Sequence, residues 1–103
     1  MIITKIESQR NEERVNIYLD GEFAFGLIKE IQYKYDLSEG MNIDKEYIDK
    51  VLMEEEQSRA NNCALRFLEY RQRSEKEIID KLKEKGFEDK LIENTIIYLK
   101  HYG

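Results

Sequence analysis

Proline is absent from this chain of 103 residues, and with it the residue that most often breaks a helix, so long uninterrupted helices are available. A single cysteine, Cys63, excludes an internal disulfide. It falls in helical phase with Ala60, Ala64 and Phe67, which assigns it a small apolar packing role, and the one histidine, His101, does not stand near it in sequence. No apolar run of about 18 residues is present to form a membrane span. The N-terminus lacks a basic-then-apolar targeting pattern, so a soluble protein of the reducing cytoplasm is expected. Phosphate-cradling glycine loops, Cys/His clusters and nucleophile motifs are missing as well. Catalysis, a cofactor and a metal have no residues to rest on, and a non-enzymatic protein is expected.

What is present is charge on a foldable background. Hydrophobic residues make up 41% and charged residues 38%, a balance that fits solvated helices around a modest core. The length suits one ordinary domain or two very small ones. Residues 1–57 hold 7 basic and 14 acidic side chains, whereas residues 58–103 hold 10 basic and 8 acidic. The front is therefore acidic and the back mildly basic. A duplex-binding domain normally carries a larger basic excess, so a protein partner of mixed charge fits at least as well.

Period-two patterning marks strands at the front. Over residues 2–8, Ile2, Thr4 and Ile6 alternate with Ile3 and Lys5; over 14–20, Val15, Ile17 and Leu19 share a face. Asp20-Gly21 is a type I′ hairpin signal, and Phe23 and Phe25 are expected on one face of the third strand. Helical spacing returns with Ile28, Ile31 and Tyr35, and a turn over 37–41 uses Gly40. Asp44 is an N-cap for one long helix over about 45–70. Ser74 and Glu77 have the capping-box spacing, Gly86 ends that helix, and Phe87 packs back. A last helix over 89–101 buries Leu91 or Ile92 with Ile96 and Leu99, and Gly103 stands where a C-cap belongs. The expected fold class is α+β. A three-stranded antiparallel sheet with a short helix occupies a 1–57 domain, and a long helix joins it to a three-helix repeat in a 58–103 domain.

The candidate site is cationic: Arg66, Arg71, Arg73, Lys76, Lys81, Lys83 and Lys85. Arg71 and Arg73 fall in the turn between helices, where they can project together, and a guanidinium fork suits carboxylate and phosphate. The plainer reading is a solvated face whose lysines pair with Glu75, Glu77, Asp80 and Glu84. Glu54, Glu55 and Glu56 diverge by about 100° each around a helix and cannot converge on one ion, so they read as a solvated face. The seven tyrosines are scattered on mostly apolar phases and read as core or rim, and His101 suits a helix C-terminus rather than a ligand.

"ALRFLEYRQRSEKEIIDKLKEKGF" (64–87), followed by Ile92, Ile96 and Leu99, resembles the first three-helix repeat of the RecX family, the regulators of the RecA recombinase. The matching pattern runs through Ala64, Leu65, Arg71, Arg73, Ser74, Glu75, Glu77, Lys81, Leu82, Lys85, Gly86 and Phe87. "ITKIES", "RVNIYLDGEFAFGL" and "KYDLSEGM" resemble the N-terminal region of RecX proteins from low-GC Gram-positive bacteria. Members usually carry three repeats and one is visible here, so the resemblance implies an N-terminal portion of a longer protein. It further implies a regulator of recombination and DNA repair, within the SOS response, that binds RecA filaments on single-stranded DNA. Arg66, Arg71, Arg73, Lys76, Lys81 and Lys85 would make the contacts. Single-stranded DNA is a further candidate partner, with direct contact left open by the sequence, and exposed repeat-stacking surface makes self-association plausible. The alternative is a sequence-tolerant nucleic-acid-binding module acting without RecA, and a third reading is a structural fragment.

Overall fold

A computed structural model of the chain describes residues 1–11, 13–70 and 72–102, and of Tyr70 and Tyr102 the backbone alone. Arg71 and Gly103 thus lie outside the described residues. The element order is β1 (Ile3–Ser8), β2 (Arg14–Leu19), β3 (Glu22–Ile28), α1 (Lys29–Lys34), α2 (Lys45–Tyr70), α3 (Glu75–Glu84) and α4 (Asp89–Tyr102). The chain divides into two units, Met1–Glu55 and Glu56–Gly103. The α+β class and its expected elements are borne out.

In the first unit the strands form one antiparallel sheet in the order β1-β2-β3. Asp20 (φ 50°) and Gly21 (φ 86°) make the two-residue turn, both in the left-handed region that a type I′ hairpin requires. Simple alternation fails at two places, because each edge strand carries one extra residue. Ile3 pairs with Leu19 but Lys5 with Tyr18, which leaves Thr4 as the bulge. Its hydroxyl is used instead, donating to the Tyr18 carbonyl (3.3 Å) and accepting from the Gly21 N–H (3.0 Å). Ile3 therefore joins Ile6, Ile17 and Leu19 on the core face, and the expected trio Ile2, Thr4 and Ile6 does not form. Likewise Ile17 pairs with Phe25 but Tyr18 with Phe23, so Ala24 is extra. Phe25 packs on the core, while Phe23 is 59% exposed and meets Tyr18 edge-on at 5.8 Å. The two phenylalanines expected together are on opposite faces.

Ile3, Val15, Ile17 and Leu27 from the sheet, Ile31 from α1 and Val51 from α2 form the centre of this unit's core. Burying each such side chain contributes about 1.5–3 kcal/mol. Helix α1 ends with Asp36 at φ 50° and the Leu37 N–H on the Gln32 carbonyl, a Schellman-type end without glycine. Asp44 caps α2 as expected, its carboxylate accepting from the Tyr47 N–H at 2.8 Å.

The acidic run in α2 does not form one solvated face. Glu54 pairs with Lys34 at 2.9 Å near the surface. Glu55 is buried, 6% exposed, and its two oxygens accept from Arg14 Nη2 and the Ile28 N–H, each at 3.1 Å. A buried carboxylate is tolerated because both its oxygens are occupied.

In the second unit Ala64 sits among Ile78, Leu82, Ile92 and Ile96, with Cys63, Phe67 and Leu99 around them. The capping box is present: Ser74 Oγ accepts from the Glu77 N–H (3.2 Å), and Glu77 Oε1 accepts from the Ser74 N–H (3.1 Å). Gly86 (φ 89°) closes α3, with its N–H on the Lys83 carbonyl and the Phe87 N–H on the Leu82 carbonyl. Thr95, fully buried, joins a polar cluster that apolar periodicity cannot reveal. Gln57 Nε2 donates to Thr95 Oγ1 (3.1 Å) and the Leu91 carbonyl (3.2 Å), Thr95 Oγ1 lies 3.0 Å from Asn61 Oδ1, and Asn94 donates to Gln57 Oε1.

Candidate functional site

The cationic residues lie where α2 gives way to α3. The capping box starts α3 at Ser74, and it holds Arg73 at the last position before the cap. From there the Arg73 side chain turns back onto α2. Its guanidinium carbon stands 4.0 Å from the Phe67 ring centroid, Nε donates to the Phe67 carbonyl at a long 3.5 Å, and Nη1 lies 3.7 Å from Glu77 Oε2. Only 16% of the side chain is exposed. The ring is the main hold: a partly desolvated cation–π contact contributes about 1–2 kcal/mol, against about 0.3–0.5 kcal/mol for an i,i+4 ion pair on a helix surface. Arg73 thus lies flat against α2 instead of projecting into solvent.

Lys81 shares the ring, with Nζ at 5.5 Å from the Phe67 centroid. Lys85 follows one turn later at the α3 C-cap, where its charge complements the exposed carbonyls of the helix end. Arg66 is exposed on α2, about 100° around that helix from Phe67. Among the described residues, Arg66, Lys76 and Lys85 have no ion pair, so their charges are available to a partner.

Arg73 and Lys81 are brought together at the Phe67 ring, and Lys85, four residues after Lys81, follows on the same side of α3 by helical spacing. Lys76 is not among them: it precedes Lys83 by seven residues, which sets that pair on one face of α3, away from Lys81. Arg71 lies outside the described residues. Phe67, whose spacing marks it as a core residue, has a second role as the plate on which two cations rest. The sequence signal for that role is an aromatic six residues before an arginine that itself precedes a cap.

This flank can hold carboxylate or phosphate groups by charge and hydrogen bonding. Among the described residues, no group of His, Cys, Asp and Glu is placed to hold a metal ion. No helix among them is long and apolar enough to cross a membrane.

Comparison with known proteins bears on both units. Residues 1–44 match the model of the regulatory protein RecX N-terminal domain, and residues 60–99 match that of the RecX first three-helix domain. The regulatory protein RecX of Clostridium perfringens (strain SM101) is 44% identical over 102 residues, which is 98% of this chain and 48% of that protein. The one from Clostridioides difficile (strain 630) is 41% identical over 103 residues, 99% of this chain and 48% of its own. The chain spans about half the length of these curated relatives. A crystal structure of a regulatory protein RecX superposes with a TM-score of 0.82 at 32% identity, covering 98% of this chain and 50% of that one. With sheet and three-helix regions both matched, in the same order and over nearly the whole length, the chain belongs to the RecX family.

Proposed function

We propose that this chain regulates homologous recombination and DNA repair by binding the RecA filament on single-stranded DNA, altering its assembly, strand exchange and ATPase activity. Membership of a family of regulatory proteins supports this reading. The observation that carries it to particular residues is the cationic flank organised by Phe67. The chain is not an enzyme under this reading; RecA hydrolyses the ATP, in the cytoplasm, and the regulator contributes contacts. Lys81, Lys85 and Arg66 supply charge to acidic groups of the filament, protein or phosphate. Arg73 presents the edge of its fork and holds the flank in shape, and Arg71 and Lys76 belong to the same candidate set.

Replacement of the exposed pair Arg66→Glu and Lys85→Glu leaves the core untouched. The reversal of two contacts is expected to weaken filament binding by roughly 30-fold, equivalent to about 2 kcal/mol. Titration against RecA-coated single strands measures it, and unchanged affinity at low and moderate salt sinks the assignment. A parallel titration against bare single strands separates the alternative. Tight RecA-independent binding that falls steeply with salt favours a sequence-tolerant nucleic-acid module.

A further inference from the structure

The second unit carries two unlike flanks on opposite sides of α3. Along one, between α3 and α4, runs an open groove of about 450 Å3. Its apolar wall is Ile79, Ile92, Ile96 and Ile97, and its charged rim is Glu75, Asp89 and Glu93 against a single cation, Lys83. Ile97 is 56% exposed, a large aliphatic surface left facing water. Lys100 approaches Glu75 only to 4.0 Å, so the rim keeps an acidic excess. Lys81 and Lys85 follow the groove-lining Ile79 and Lys83 by two residues, about 200° around the helix. They therefore occupy the far side, with Arg73 and the Phe67 ring. One molecule thus bears both an acidic-rimmed apolar groove and a basic flank.

We propose that the α3–α4 groove receives the Lys81–Lys85 flank of a second copy of this chain. Charge complementarity selects that occupant, since the two faces it needs are both present on this unit. The chemistry suits the groove: lysine stems lie on Ile96 and Ile97 while their ammonium heads reach Glu75, Asp89 and Glu93 at the rim. The contact is head-to-tail. Each added copy leaves one groove and one flank open, so growth continues past a dimer. The groove is small and takes only a pair of side chains, which makes the association weak.

Sedimentation of the full chain over a concentration series tests this without any recombinase, so it stands or falls apart from the function proposed above. The weight-average mass is expected to rise from 12.4 kDa at ~10 μM to more than twice that by ~1 mM, and to fall back in about 0.5 M salt. Ile97→Asp spoils the groove and Lys81→Glu with Lys85→Glu spoils the flank. All these positions lie outside the buried core, and far-UV circular dichroism checks that folding is kept. Each variant alone stays monomeric. Mixed one to one, they form a complex of two chains and stop there, because the intact groove of one meets the intact flank of the other. A parent chain that remains monomeric throughout, a variant that still associates alone, or a mixture that does not pair would overturn the proposal.

Discussion

Glu55 offers the sharpest test of how α2 is held to the sheet. Replacing it with alanine removes two interactions at once. The Ile28 N–H, the last donor of β3 before α1, loses a charged acceptor at 3.1 Å, and Arg14 loses its ion pair. Leaving a partly buried donor unpaired after losing a charge-assisted bond costs about 1.5–3 kcal/mol. Breaking a fully buried pair costs about 3–5 kcal/mol, but the Arg14 side chain is 33% exposed and recovers hydration. The expected loss for Glu55→Ala is therefore about 2–3 kcal/mol. In a unit this small that corresponds to a fall of roughly 10–20 °C in the melting temperature. Glu55→Gln keeps an oxygen for the Ile28 N–H but sets its NH2 against the Arg14 guanidinium, which must turn to water, so a smaller loss than that of Glu55→Ala is expected. Glu54→Ala, one residue earlier, removes a surface pair with a Lys34 side chain that is 62% exposed, and costs about 0.5 kcal/mol or less. Thermal melting followed by circular dichroism, with hydrogen exchange at the Ile28 amide, measures all three. If Glu55→Ala melts within about 0.5 kcal/mol of the parent, or no lower than Glu54→Ala, the reasoning from burial is refuted.

Thr95→Val preserves volume but strips the hydroxyl from the cluster with Gln57 and Asn61, and is expected to destabilise by about 1–2 kcal/mol, while Thr95→Ser retains the bonds and loses less; urea unfolding ranks the two. Gly86→Ala meets no atom within 4 Å of the added carbon, so its cost is the left-handed backbone alone, about 1 kcal/mol by the same assay. The Lys5 ammonium, hydrogen-bonded to Glu7 at 2.7 Å, holds the Glu7 carboxyl below its ordinary titration range. Because the folded value is the depressed one, whatever this pair contributes is present at neutral pH. It fades as the pH falls below about 4.5 and through the lower folded value. NMR titration should show Glu7 return to the ordinary range in Lys5→Met; a Glu7 that does not move excludes Lys5 as the cause.

The features legible in the amino-acid order are those whose physics is local. Asp20-Gly21, Asp44, the Ser74–Glu77 box and Gly86 each act within a few residues, through a positive φ or a single turn of orphan N–H groups, and each appears where its chemistry requires. Strand facing is not local in this sense. It depends on register, and one extra residue at Thr4 and another at Ala24 reverse the alternation beyond them. Neither residue type announces a bulge. Glu55 and Thr95 escape sequence reasoning for a related reason: what makes a buried polar side chain acceptable is a partner 27 to 41 residues away.

The cationic flank falls between these cases, and that position explains why its residue types were legible and its geometry was not. Arg73 and Phe67 are six residues apart, across the end of one helix and the start of the next, so their meeting depends on how the chain turns between α2 and α3. The capping box determines where α3 begins, and Ile78 and Leu82 must then reach the Ala64 core. Once both hold, the Lys81 side of α3 faces Phe67, and the aromatic ring collects the two cations nearest to it. Under the proposed function, folding and recognition would share one set of residues here. Arg73 cannot be moved outward to meet a partner without giving up its place on Phe67, whereas Lys85 and Arg66 can engage a partner at no cost to the core. Charge reversal at Arg66 should alter binding alone, and at Lys85 should add only the cost of an anion at the helix end, about 0.3–1 kcal/mol. Reversal at Arg73 should lower stability as well, by the roughly 1–2 kcal/mol of its ring contact, and melting curves of the two kinds of variant distinguish the roles.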